Sequence, residues 1–210
     1  SFNRKDLGLP EGSFIFCCFN NTYKITPKTF DSWARILKEV KGSILLIYAD
    51  NEVAKTNLQK EISNRGVNSS RLFFGKRLSK FEYLARYRVA DLFLDTQPYN
   101  AGTTASDALW MGLPVLTLCG NSFPARMAAS LLNAVNIPEL ITSTQDEYES
   151  LAIELASKPK KLKLIKDKLD GNISTASLFD SHKFTKSLES LYHKMVDRQC
   201  NGLDPDHIYE

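Results

Sequence analysis

Two threonines, the small residues before them and an aspartate one helical turn later form the most informative polar cluster in the sequence. Thr103 and Thr104 follow a short apolar segment and the pair Ala101 and Gly102, and Asp107 comes next along a predicted helix. The first turn of a helix has N–H groups without partners and about half a unit of positive charge, so it can hold a phosphate without a basic side chain. The Asp107 carboxylate could accept hydrogen bonds from a ribose or sugar hydroxyl. These residue types at this spacing indicate a nucleotide site.

The same cluster also has a purely structural interpretation. Thr103 or Thr104 can be the N-cap of a helix, and Asp107 can be an acidic residue that is favourable near a helix start. Gly112 and Pro114 would then mark the end of that helix before the next strand. Strand-turn-helix units occur throughout α/β proteins, so the functional interpretation depends on the other polar residues of the chain.

Two further groups of polar residues come after predicted strands. Asn21 and Lys24 follow the first strand, and a lysine there could neutralise the charge that develops on a departing diphosphate. The alternative is an ordinary surface lysine. Lys80, Tyr83 and Arg86 stand at i, i+3 and i+6 of a later helix, where the ring could stack on a base between two cations. The alternative is the exposed face of an amphipathic helix.

Strand and helix patterns alternate up to residue 118. Continuous apolar runs, typical of strands that are covered on both faces, predict strands at residues 14–19, 43–48, 71–74, 91–95 and 114–118. Apolar residues at helical spacing predict helices at residues 27–40, 51–64 and 79–88, and another from Thr103 or Thr104 through Trp110. This alternation predicts an α/β protein with a Rossmann-like parallel sheet flanked by helices, in which ligands bind beyond the carboxyl ends of the strands.

The pattern changes after residue 118, where no further strand is predicted. Helices are expected at residues 124–134, 145–157, 160–169 and 181–197, and the apolar face of the last one, with Phe184, Tyr192 and Met195, is expected to join the core. We therefore predict one domain over residues 1–198, with a helical appendage from about residue 124, and a flexible polar tail at 199–210.

Charge and cysteine content argue against several classes of protein. The formal net charge of +3 is too small to predict a nucleic-acid partner. The cysteines have neither metal-ligand spacing nor a disulfide framework, so we expect no metal and a reducing compartment. No segment is long and apolar enough for a membrane span or a signal peptide, which predicts a cytoplasmic protein. The chain begins on Ser1 within a linker-like segment, and we expect further sequence upstream of it.

Three stretches, in their order and spacing, resemble a known family. They are FNNTYKITP at residues 19–27, LFLDTQPYNAGTTASDALWMGLPVLTL at 92–118 and SLFDSHKF at 177–184. They are similar to the C-terminal catalytic lobe of the SPINDLY/O-linked N-acetylglucosamine transferase family in its bacterial form, and the similarity runs from about residue 7 to about residue 197. The resemblance implies the C-terminal half of a two-lobed glycosyltransferase B-type fold, the half that binds the nucleotide part of a UDP-sugar.

The resemblance also implies roles for the residues at the diphosphate and the ribose. Lys24 would be the catalytic residue that contacts the donor diphosphate, with the amide of Asn21 before it, where animal members have glutamine. Thr103 and Thr104 would bind the diphosphate at the helix N-terminus. Asp107 would bind the ribose.

The nucleoside residues follow from the same resemblance. Lys80 would lie at the uridine, Tyr83 would replace a histidine that stacks on uracil in animal members, and Arg86 would lie nearby. One departure is Gly102, where animal members have a histidine. The absence of the histidine removes a hydrogen-bond donor to the phosphate and widens the turn, and both changes bear on the sugar preference.

The implied activity is inverting transfer of N-acetylglucosamine from UDP-GlcNAc to protein serine or threonine, with no metal or other cofactor. The family's acceptor groove and candidate base belong to an N-terminal lobe, preceded by tetratricopeptide repeats, so this chain alone is expected to be inactive. The alternatives are transfer from a UDP-hexose such as UDP-glucose to serine, threonine or asparagine, a non-catalytic nucleotide-binding module, and a UDP-sugar isomerase. The isomerase would need an acid/base pair in the cleft, which the sequence does not indicate.

Overall fold

A computed structural model describes residues 3–209, and its central element is a parallel sheet of six strands within that range. Ser1, Phe2 and Glu210, the outermost residues of the expected domain and tail, lie outside the described residues. The strands are β1 (Ile15–Cys18), β2 (Ile44–Tyr48), β3 (Leu72–Gly75), β4 (Leu92–Leu94), β5 (Val115–Leu118) and β6 (Ile141–Thr142). Their order in the sheet is β3-β2-β1-β4-β5-β6, and all neighbours pair in parallel.

The strands are connected by helices, and three more helices follow β6. The helices are α1 (Pro27–Glu39), α2 (Glu52–Asn64), α3 (Lys80–Arg86), α4 (Thr103–Trp110), α5 (Met127–Ala134), α6 (Gln145–Ser157), α7 (Pro159–Ile173) and α8 (Ser181–Cys200). None of the helices within residues 3–209 is long and apolar enough to cross a membrane. The strand order is that of a doubly wound Rossmann-like sheet, as the alternating pattern predicts.

Helix α1 illustrates how the sequence specifies these elements. The hydroxyl of Thr26, the N-cap, accepts a hydrogen bond from the Thr29 N–H, and Pro27 occupies the first helical position, where its missing N–H costs nothing. Phe30, Trp33 and Leu37, at helical spacing, are buried against the sheet. Burying a large apolar side chain contributes about 1.5–3 kcal/mol, so packing of this face stabilises the helix more than its propensity does.

All five predicted strands are present, but the prediction of no strand after residue 118 is wrong. Strand β6 has only two residues, Ile141 and Thr142, which pair with Thr117 and Leu118 of β5. Two residues are too few to produce a recognisable alternation of apolar and polar side chains. The strand exists because the unpaired edge of β5 is available to it.

Several helix termini also differ from the sequence predictions; α7, for example, ends at Ile173, four residues beyond the predicted end at 169. The N-cap of α4 is Gly102, so neither Thr103 nor Thr104 is the N-cap, and no side chain caps this helix. Helix α8 continues to Cys200, three residues beyond the predicted end at 197 and into the segment expected to be a flexible tail. Its apolar residues do not join the core, since Phe184 and Tyr192 are 66% and 56% exposed.

Candidate functional site

The order in which successive strands are added to the sheet reverses between β1 and β4, which are themselves parallel. The chain leaves β1 toward β2 on one side and leaves β4 toward β5 on the other, which opens a crevice at the carboxyl ends of these two neighbouring strands. In doubly wound sheets ligands bind at such a switch point. The segments that follow β1 and β4 meet there, since the Asn20 amide donates to the Thr96 hydroxyl at 2.8 Å. This position is where the sequence predicts the anion site.

The start of α4 faces this crevice with an uncapped first turn. Gly102, the N-cap, has no side chain that could accept from the first N–H groups, so their partial positive charge is available to an anion. Thr103 is exposed, whereas the Thr104 hydroxyl donates to the side-chain oxygen of Asn20. A Cβ atom added at Gly102 would lie 3.5 Å from Met127 Cγ, an ordinary contact, so the turn has room for a side chain.

Lys24 reaches the same turn from the other side of the crevice. It ends a 3₁₀ turn that begins after the exposed Asn21, and its ammonium Nζ donates to the Asn100 carbonyl at 3.0 Å. The ammonium also lies 3.8 Å from the centroid of the Tyr99 ring. Since Asn100 is three residues before Thr103, the Lys24 ammonium and the N-terminus of α4 lie near each other at this edge of the sheet. That the two form an anion site stays a prediction.

A buried polar layer beneath the crevice fixes the turn between β4 and α4. Asp95, 1% exposed, accepts from the N–H groups of Thr96 and Ala101 and from the Thr117 hydroxyl, each at 2.7 Å. Burial raises the pKa of the Asp95 carboxyl to about 7, and these hydrogen bonds oppose the rise. Asn20 also points its amide at Asp95. The structure adds Asn20 and Asp95 to the site as supporting residues that sequence reasoning missed, although an acidic residue at the end of an apolar strand was a visible signal.

On the nucleoside side, α3 does not form the predicted face with a ring between two exposed cations. Lys80 is exposed and Tyr83 is partly buried, but Arg86 is only 2% exposed. Arg86 donates from Nη1 to the Lys76 carbonyl at 2.8 Å, and its guanidinium lies 4.0 Å from the centroid of the Phe19 ring. The spacing predicted that Lys80, Tyr83 and Arg86 share one helix, but it could not show that α3 turns Arg86 inward over the end of β1.

Gly75 explains how Arg86 fits there. A Cβ atom at this position would lie 2.5 Å from Arg86 Nη1, closer than real Cβ contacts, so a side chain there would force the guanidinium to move. Removal from water lowers the pKa of Arg86, since burial disfavours the charged form.

Tyr83 connects α3 to α4. Its hydroxyl shares a hydrogen bond with the Tyr87 hydroxyl, and the pKa of Tyr83 is raised to about 12, chiefly by burial. Burial also raises the pKa of Asp107, while the nearby Tyr83 hydroxyl and the charge of Lys80 lower it. The proposed base-stacking residue and the proposed ribose acceptor are therefore neighbours, as one nucleoside requires.

A cavity of about 360 Å³ lies beside these residues, and its lining consists of Phe19, Asn21, Tyr48, Lys76, Arg77, Leu78, Tyr83 and Arg86. It brings Asn21, Tyr83 and Arg86 together and adds the cations Lys76 and Arg77, which the sequence analysis did not single out. Its volume lies within the range of about 300–1,000 Å³ that is typical of ligand pockets. Over the part of the chain that the structure describes, no three side chains of metal-binding type lie together.

Residues 2–188 match the model of glycosyl transferase family 41. The chain is 35% identical over 206 residues to the "Probable UDP-N-acetylglucosamine--peptide N-acetylglucosaminyltransferase SEC" of Arabidopsis thaliana, covering 98% of this chain and 21% of that protein. It is 34% identical to the UDP-N-acetylglucosamine--peptide N-acetylglucosaminyltransferase of Caenorhabditis elegans, covering 98% and 18%. The chain thus spans about a fifth of the length of the relatives that it matches.

Solved structures give the same picture of the fold. A mutant of the Thermobaculum terrenum O-GlcNAc transferase superposes with a TM-score of 0.86 and 34% identity, covering 91% of this chain and 37% of that chain. Anabaena HepE, solved with UDP and glucose, matches with a TM-score of 0.65 and 16% identity, covering 89% of this chain and 51% of that chain. These matches confirm the predicted α/β fold as one half of a glycosyltransferase B-type architecture.

Proposed function

The chain belongs to glycosyl transferase family 41, and on that basis we propose that residues 1–198 are the donor-binding lobe of an inverting transferase that moves N-acetylglucosamine from UDP to protein serine or threonine. The observation that carries this proposal is the convergence of Lys24 and the uncapped N-terminus of α4 at the switch point of the sheet. Both supply positive charge at one place, where a diphosphate can be held.

The chemistry assigned to this lobe is stabilisation of the leaving group. The acceptor hydroxyl oxygen forms a bond to the anomeric carbon, the bond from that carbon to the phosphate oxygen breaks, and its electron pair leaves with UDP. Charge therefore grows on the diphosphate in the transition state, and Lys24 and the first turn of α4 oppose that charge. The acceptor's proton passes to a base on a second lobe, which with its acceptor groove and upstream tetratricopeptide repeats completes the proposed enzyme.

The nucleoside is assigned to the neighbouring cavity. In this proposal the Tyr83 ring packs on the base beside Arg86, and both side chains line the cavity. The Asp107 carboxylate, next to Tyr83 and Lys80, accepts from the ribose hydroxyls, while Asn21 lies toward the diphosphate. These contacts are the same before and during the reaction, so they contribute to binding of the donor rather than to the rate of its cleavage.

The test compares this chain with a full-length protein that contains it. Calorimetry with UDP on the 210-residue chain should detect weak binding, and a radiolabelled transfer assay should detect sugar transfer to peptide only with the full-length protein, because orientation of the acceptor needs the second lobe. Glycosylation of a peptide by the short chain alone would contradict the half-module proposal. Binding of UDP by the full-length protein without transfer from UDP-GlcNAc or UDP-glucose would instead support a nucleotide-binding module.

A further inference from the structure

The ammonium group of Lys24 is held by two groups of a single turn. The Asn100 carbonyl accepts from Nζ at 3.0 Å, and the Tyr99 ring lies below the ammonium with its centroid at 3.8 Å. An ammonium at this distance from an aromatic face is attracted by the partial negative charge on the face of the neutral ring. One of three N–H donors is used by the carbonyl, so donors remain for a ligand in the crevice.

The turn that carries both groups is itself fixed. The Asn100 amide donates to the Thr96 carbonyl at 2.8 Å, and its backbone N–H donates to the Pro124 carbonyl at 3.0 Å. The Thr96 hydroxyl donates to the Tyr99 carbonyl at 2.7 Å. Thr96 in turn is anchored to the buried Asp95. The backbone that carries the Tyr99 ring is thus held by the buried layer under the crevice, while the side chain itself is 48% exposed.

We propose that Tyr99 is a positioning residue that holds the Lys24 ammonium toward the donor diphosphate through its ring face, an inference that rests on the proposed function of the site. A lysine side chain has about 2 kcal/mol of rotamer entropy on a flexible four-carbon stem. A cation that must meet charge developing in a transition state acts best when it is already in place. The ring supplies that restraint and leaves the ammonium's remaining donors free.

The Tyr99 hydroxyl has no part in this mechanism, because the contact is made by the ring face. The proposal therefore separates two substitutions of similar size. Tyr99→Phe keeps the aromatic face, whereas Tyr99→Leu keeps apolar bulk and removes the charge distribution of the ring. Tyr192 provides a matched control, since it is an exposed tyrosine on α8, outside the residues of the proposed site.

The experiment measures kcat and the donor KM in the full-length protein, with UDP-GlcNAc and an acceptor peptide. Tyr99→Leu should lower kcat by about threefold to thirtyfold, the range expected for a cation–π contact between exposed and desolvated settings, with KM changed by less than about twofold. Tyr99→Phe and the control Tyr192→Leu should stay within about twofold of the parent protein. In a Lys24→Ala background, Tyr99→Leu should have no further effect, because the two residues act as one unit.

A second readout needs no catalysis. The NMR resonances of the Lys24 side-chain methylenes should be shifted by the ring current of the aromatic face. They should stay shifted in Tyr99→Phe and move to ordinary lysine positions in Tyr99→Leu.

The kinetic results can contradict the inference. Equal losses of kcat for Tyr99→Phe and Tyr99→Leu, or a loss that persists in Lys24→Ala, would overturn the inference and make Tyr99 a direct contact of the sugar. If Lys24→Ala lowers turnover and Tyr99→Leu does not, only this inference fails. If Lys24→Ala itself leaves turnover intact, the proposed role of the diphosphate site fails with it.

Discussion

The proposed diphosphate side and the proposed nucleoside side of the crevice are built differently. On the diphosphate side a layer of buried polar residues, joined by hydrogen bonds, fixes the turn before α4; its members are Asn20, Asp95, Thr96, Asn100 and Thr117. On the nucleoside side α3 offers an exposed Lys80, a partly buried Tyr83 and a buried Arg86 with one hydrogen bond, around an open cavity. The buried, hydrogen-bonded polar side chains thus lie where charge changes during the proposed reaction, which is where preorganisation accelerates a reaction most.

The largest expected effect comes from Lys24→Ala in the full-length protein. It should lower kcat by about 10²-fold or more and change the donor KM far less, because the charge that Lys24 opposes grows in the transition state. Steady-state kinetics with UDP-GlcNAc measure both constants. Lys28→Ala, which removes an exposed lysine from α1, is the control and should be neutral. If Lys24→Ala instead weakens donor binding and leaves kcat unchanged, Lys24 only binds the donor. The two sides of the crevice would then have the same role.

A smaller effect, on the donor KM rather than on kcat, is expected for Asp107→Ala. Losing an acceptor for ribose hydroxyls should cost about 1–3 kcal/mol of donor binding, which is roughly tenfold to a hundredfold in KM, while kcat at saturation stays nearly constant. Titration with UDP and with uridine should show the same loss for both ligands, since both carry the ribose. Ser106→Ala, the neighbouring position on α4, is the control. A loss confined to UDP would instead move Asp107 to the diphosphate.

The two sides of the crevice also differ in how much of them the sequence alone could predict. Alternating apolar runs predicted the sheet, and the position of Lys24 and Thr104 after strand ends was enough to bring them to one crevice, because parallel strands share the edge where they end. The i, i+3, i+6 spacing of α3 was not enough, since it fixes which residues share a helix face but not which of them the sheet covers. Arg86 is buried because Gly75 leaves room for its guanidinium, a contact between β3 and α3 that no local pattern contains.

The pH dependence of the free energy of unfolding tests whether water is excluded from the Asp95 carboxyl in the buried layer. The pKa of Asp95 is about 7 in the folded chain against an ordinary value of 3.8. Below about pH 4 both states are protonated and Asp95 contributes no pH dependence, whereas between about 4 and 7 the unfolded chain loses its proton first. The free energy of unfolding should therefore fall through this window, by no more than about 1.4 kcal/mol per pH unit, and level off above it.

Asp95→Asn removes that titration. Urea unfolding at a series of pH values should show a flatter curve for Asp95→Asn than for the parent chain, at a lower overall stability, because the amide cannot accept all the hydrogen bonds that the carboxylate accepts. The control is Asp50→Asn, which removes an exposed carboxylate. Parallel curves for the Asp95→Asn chain and the parent would mean that water or a bound cation keeps this carboxyl ionised.

The smallest expected effect is a gain, from Gly102→His at the start of α4. The backbone of Gly102 has a φ of −107°, which other residues adopt, and a new Cβ would make only an ordinary contact with Met127. An imidazole here would add a donor beside the first turn of the helix, and one hydrogen bond contributes about 0.5–1.5 kcal/mol, or roughly twofold to tenfold in UDP affinity. Calorimetry should find this gain for Gly102→His and none for Gly102→Ala, which adds a side chain without a donor. Because the turn beneath is fixed by Asp95 rather than by residue 102, neither substitution should alter the free energy of unfolding by more than about 0.5 kcal/mol. Weaker UDP binding in both variants would show that the diphosphate needs the space above Gly102, and the glycine would then be part of the anion site itself.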